Sequence, residues 1–155
     1  MDEPTDFEAV FARIEEALTQ DPPDLQALHA IRGLLADTAF IPELKGYIER
    51  HRKTNLGSAA AHRFWGWKYL AEDQRERHET TAKITMPVTI GGGTSLFIGS
   101  IFAAVTLGPV ALIPAFGGLA TFAIGYATLR RVDPLRSVYR QIAERLDDIL
   151  NKLDA

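Results

Sequence analysis

Between Lys83 and Arg130 the chain carries no Asp, Glu, Lys, Arg or His, while the segments on either side are dense in charge. A helix that crosses the hydrocarbon core of a bilayer needs roughly 20 apolar residues. The run 84–129 is therefore too long for one crossing and about right for two. Gly108-Pro109 divides it, giving expected crossings at residues 87–107 and 110–129. Pro87 then falls in the opening turn of the first crossing and Pro114 near the start of the second, positions where a missing backbone N–H is least costly. The fold class this implies is all-α: a transmembrane helical hairpin at 84–131 between an N-terminal cytoplasmic helical domain at 1–83 and a C-terminal amphipathic helix at 132–155.

Orientation follows from the basic residues near the hairpin ends. Arg75, Arg77 and Lys83 precede it, Arg130, Arg131, Arg136 and Arg140 follow it, and the connecting turn has none. Lys83, Arg130 and Arg131 are the expected membrane-flanking cations, and both termini are expected in the cytoplasm of a bacterial cell, at its inner membrane. Met1 to Asp6 is acidic and precedes an amphipathic helix, which is not the pattern of a cleaved signal peptide.

Within the hairpin, small residues recur at four-residue spacing. Gly91, Ser95, Gly99 and Ala103 line one side of the first crossing, and Gly117, Thr121 and Gly125 line one side of the second. Such ridges let helix backbones approach closely in lipid, so these seven residues are expected to pack helices together, within one hairpin or between subunits. An alternative expectation for the triple glycine Gly91-Gly92-Gly93 is a flexible or locally unwound point, and without a GxGxxG spacing or a Walker lysine it is not a nucleotide loop.

The flanking segments read as short helices. Thr5-Asp6-Phe7-Glu8 fits a capping box ahead of a helix with Phe7, Phe11, Ile14 and Leu18 on one stripe. Asp21 and Pro22 are expected to open a second, with Leu25, Leu28, Ile31 and Leu35 inward. Pro42 marks a third, and Ser58 is expected to cap a fourth that carries Phe64, Trp65, Trp67, Tyr69 and Leu70. Phe64, Trp67 and Leu70 share a face suited to a bundle core, which leaves Trp65 and Tyr69 for a lipid surface or a subunit contact. Asp133-Pro134 is expected to restart a last helix, in which Leu135, Tyr139, Ile142, Leu146, Ile149 and Leu153 form a heptad seam joining chains or closing the bundle.

Several chemistries are excluded. The chain is slightly acidic, with a formal net charge of -3, and has no basic stripe for nucleic acid. It has no cysteine, hence no thiolate, disulfide or Cys-based zinc site. His29, His51, His62 and His78 form no HExxH or comparable ligand pair, and no GxSxG elbow occurs. No enzyme, cofactor or metal is expected.

The expected function is that of an oligomeric integral membrane module, a structural subunit or a pore-type effector, whose partners are the lipid bilayer and either further copies of itself or a membrane complex. The layout resembles in outline the two-helix membrane effectors of bacterial defence systems, which implies oligomerisation and membrane breach. It also resembles the colicin layout, which implies a soluble form that inserts its hairpin later. A third expectation is a membrane-anchored adaptor that binds a soluble partner through residues 1–80.

Overall fold

The computed structural model describes residues 6–51, 55–107 and 113–154. Every regular element among them is helical: α1 (Phe7–Thr19), α2 (Leu25–Ala36), α3 (Phe40–Arg50), α4 (Asn55–Pro87), a π-helical segment (Val88–Gly93), α5 (Thr94–Leu107) and α6 (Ile113–Asp154). They form two compact units, one of Met1–Glu76 with Leu135–Ala155 and the other Arg77–Pro134.

The first unit folds because each of its helices offers one apolar stripe to a shared core. Phe7, Phe11, Ile14 and Leu18 of α1 meet Leu28, Ile31 and Leu35 of α2, Phe40, Leu44 and Tyr47 of α3, and Phe64, Trp67 and Ala71 of α4. At its centre Phe11 stands edge-on to Phe64 at 5.9 Å and lies 5.5 Å from the Trp67 ring, spacings at which aromatic pairs attract beyond their burial. Tyr139, Ile142, Leu146 and Ile149 of α6 are fully buried in the same core, and Leu135 and Leu153 pack against it part-buried. The heptad seam thus closes a bundle within its own chain, and its two end positions stay wetter than its middle.

Local starts differ from several expectations. The α1 cap is Asp6, whose carboxylate accepts from the Glu8 and Ala9 N–H groups at 3.2 and 3.3 Å; Thr5 lies outside the described residues. Asp24, not Asp21, caps α2 by accepting from Gln26 N–H at 2.8 Å, and a helix opening at Pro22 is disfavoured because Pro23 pushes the residue before it out of the α region. Pro42 sits in the first turn of α3, where its missing N–H has no intrahelical partner to lose. Ser58 lies inside α4, which already begins at Asn55. Asp133-Pro134 does not restart a helix, since α6 runs through Pro134 without a break. Proline removes one hydrogen bond from such a ladder, and the helical segments on both sides outweigh that loss.

One polar cluster ties the outside of this unit together. The Tyr47 hydroxyl donates to Glu8 Oε1 at 3.0 Å and the Arg63 guanidinium donates to Glu8 Oε2 at 2.9 Å, joining α1, α3 and α4. The Arg63 hydrogen bond, then that of Tyr47, holds the Glu8 carboxyl below its ordinary value. Burial first, then the Glu8 carboxylate, raises the Tyr47 phenol. A carboxyl whose folded pKa is depressed adds stability above its unfolded pKa and loses it as pH falls through the folded value. The Glu8 side chain is half exposed, so the contribution is small. Glu8→Gln should lower the thermal midpoint of this unit slightly near neutral pH, with the difference from the parent chain closing below the carboxylate range. A difference that persists unchanged in acid would show that the charge is not what Glu8 contributes.

Candidate functional site

In the second unit the usual distribution of polarity is reversed. Apart from Trp65 and Tyr69, every large apolar side chain that stands exposed among the described residues lies between Ile84 and Tyr126. Phe102, Phe116, Ile113 and Ile124 are each about 70 % exposed. The buried polar side chains are Thr89 and Ser100, and both belong to this unit. Water favours the opposite arrangement, whereas hydrocarbon leaves apolar side chains no reason to turn inward.

Small residues bring the two arms of the hairpin together. Gly93 and Gly118 face each other so closely that a Cβ on Gly118 would lie 2.8 Å from the Gly93 carbonyl oxygen and 3.0 Å from Phe97 N. A Cβ on Gly93 would lie 3.1 Å from the Gly118 carbonyl oxygen. Further along, Thr89 packs on Gly125, where a Cβ would come within 2.6 Å of the Thr89 Cβ. The buried Ser100 hydroxyl donates to Leu96 O at 2.6 Å, and Thr121 and Thr128 donate to Gly117 O and Ile124 O at 2.9 Å. Each hydroxyl is satisfied within its own helix and asks nothing of a solvent.

Of the seven residues expected to pack helices, Gly125 lies in this contact and Thr121 is half-buried beside it. Gly91, Ser95, Gly99 and Gly117 are exposed, Ala103 is half-buried, and a Cβ added at Gly91, Gly99 or Gly117 would meet nothing within 4 Å. The ridge Gly91–Ser95–Gly99 therefore faces away from the other arm. The contact uses Thr89, Gly93, Leu96 and Phe97 instead, with Ser100 buried, and it is hidden in the sequence because Leu96 and Phe97 interrupt any small-residue ridge. The triple glycine does not unwind the chain: Val88–Gly93 stays helical as a π turn.

Lys83, Arg130 and Arg131 are all exposed at the charged ends of the apolar run, and Lys83 pairs with Glu79 at 3.1 Å. By length and composition one helical run among the described residues, Ala59–Ala104, is able to cross a membrane, and only 17 % of its apolar window is buried. The core helix of a soluble protein would be mostly buried. Residues 108–112, where the Gly108-Pro109 division and the first residues of the second crossing are expected, lie outside the described residues.

In the first unit Phe64 and Trp67 are buried, while Trp65 and Tyr69 are exposed at 53 % and 76 %. Lys68 lies 5.2 Å over the Trp65 ring and also pairs with Asp147, so it fixes α4 against α6. A groove of ≈ 460 Å³ between α2 and α6 is lined by Arg32, Gln141, Glu144, Arg145 and Asp148. Its cations and carboxylates alternate as on an ordinary solvated face. Among the described residues no three His, Asp or Glu side chains come together as a metal site. No family model matches the chain, and no curated protein or solved structure matches it.

Proposed function

We propose that this chain is a non-enzymatic integral membrane module in which the second unit is a hairpin crossing the bilayer twice and the first unit is a cytoplasmic helical bundle. The observation that carries this reading is the inverted polarity of the described residues between 84 and 129: large apolar side chains outward, Thr89 and Ser100 inward, and the Ser100, Thr121 and Thr128 hydroxyl bonds closed within their own helices. Leaving so many Ile, Phe and Val side chains in water costs about 25 cal/mol per Å² of apolar surface. The absence of any charge in the run makes the crossing cheap.

The module assembles with copies of itself or within a membrane complex, because two crossings alone enclose no pore. The exposed ridge of Gly91, Ser95 and Gly99 suits that role and is not occupied by the chain's own second arm.

The test is fractionation with topology mapping. The chain should sediment with membranes and resist alkaline carbonate. Cysteines introduced at the exposed positions Glu72 and Asn151 of the cysteine-free chain should react with an impermeant maleimide only after the inner membrane is opened. Recovery in the soluble fraction without detergent would end the bilayer reading, and labelling of one site but not the other in intact cells would require a single crossing.

A further inference from the structure

At the end of the π segment and in α5, the contact glycine and the buried serine each have a small neighbour one position earlier: Gly93 follows Gly92, and Ser100 follows Gly99. A π turn holds one more residue than an α turn closed over the same length. Resolving it into α geometry while α4 stays fixed places each residue of α5 where its successor stood, a rotation of about 100° at 3.6 residues per turn. Gly92 would then face Gly118 in place of Gly93, and Gly99 would replace the buried Ser100.

We propose that the hairpin is a two-register device, in which the π turn at Val88–Gly93 stores one residue and its release swaps the contact edge Gly93–Ser100 for Gly92–Gly99. Both edges are narrow enough for the second arm, since in each the residue against Gly118 has no Cβ. Release also carries Ser95 and Gly99 from the outer surface toward the contact and turns Ser100 outward, so it changes the face the hairpin shows to any neighbour. On α6 Gly118 has a small neighbour in Gly117, but Gly125 is flanked by Ile124 and Tyr126, so α6 cannot offer a second edge along the whole contact and the α5 side is the one free to change register. Three consecutive glycines supply the backbone freedom the interconversion needs. Helix register shifts of this kind run on microsecond to millisecond timescales.

The proposal does not depend on how often the hairpin crosses a membrane, and its test is made on the full chain in detergent micelles. Nitroxides on cysteines introduced at Phe102 and Phe116, both strongly exposed, report the angle of α5 against α6 by pulsed dipolar EPR. Gly93→Ala adds a Cβ 3.1 Å from the Gly118 carbonyl oxygen and should drive α5 into the second register. A second distance, displaced by on the order of 10 Å for a rotation of this size about a helix 10–12 Å across, is then expected. Gly91→Ala, which meets nothing in the present register and is off the edge in the other, should keep the parent distance. Gly92→Ala combined with Gly93→Ala blocks both edges and should remove the second distance again. The proposal is overturned if Gly93→Ala keeps the parent distance, if it gives only a broad distribution with no defined second peak, or if the double variant retains that peak.

Discussion

Placing aspartate at Ile142 or Leu146 should abolish the cooperative unfolding of the first unit. Both side chains are fully buried at the centre of the core shared by α1, α2, α3, α4 and α6. Each substitution removes a buried aliphatic group, which by itself costs about 2–5 kcal/mol, and leaves a carboxyl without a partner in an apolar site, which adds several more. Typical total stabilities are about 5–15 kcal/mol, so either change consumes most of what holds the unit together. The near-UV circular dichroism of Trp67 and Tyr139 should collapse, and protease should cut within residues 6–51. Leu153→Asp, at the half-buried end of the same seam, should be much milder. If Ile142→Asp instead left the near-UV signal and melting unchanged while a detergent-solubilised particle became smaller, the seam would be an intersubunit contact and the bundle assignment would fail.

The second large effect is expected in the hairpin, where glycines that look alike in sequence should behave oppositely. Gly125→Leu drives a side chain into Thr89, and Gly118→Leu drives one into the Gly93 carbonyl, backbone that cannot swing aside. Overpacking of this kind costs about 1–3 kcal/mol and sometimes more, and in the proposed bilayer setting no hydrophobic drive offsets it. The EPR distance between labels at Phe102 and Phe116 should broaden in both variants. Gly99→Leu should leave that distance intact, because a Cβ at Gly99 meets nothing within 4 Å, and leucine suits lipid at least as well as glycine does. Light scattering of the Gly99→Leu particle then tests the outer ridge separately. A smaller particle would show that Gly91, Ser95 and Gly99 join copies, and an unchanged particle would limit the module to a tether.

These two sets of substitutions also mark how far the sequence reaches. The helical class follows from periodicity alone: Phe7–Phe11–Ile14–Leu18 and Leu28–Ile31–Leu35 recur at helical spacing, and burial falls on those stripes. The seam from Leu135 to Leu153 is equally plain, because a heptad repeat needs no knowledge of its partner, but whether that partner is the same chain is a tertiary fact. Sequence alone puts the α1 cap one residue early, at Thr5 instead of Asp6, and the α2 cap three residues early, at Asp21 instead of Asp24, since several Asp and Pro residues crowd each boundary and only the backbone chooses among them.

In the hairpin the balance differs. The lack of charge from 84 to 129 by itself marks this segment as apolar throughout and long enough for the proposed double crossing, and Lys83, Arg130 and Arg131 mark where it ends. The side on which the two arms touch was not determined, because Gly91–Ser95–Gly99 and Thr89–Gly93–Ser100 are both small enough for a close approach. Choosing between them takes the phase of α5 relative to α4, and that phase is set by the π turn at Val88–Gly93. Neither the π turn nor the unbroken passage of α6 through Pro134 has a local signature strong enough to read, because each is a small local cost that only the packing of the whole hairpin or bundle outweighs.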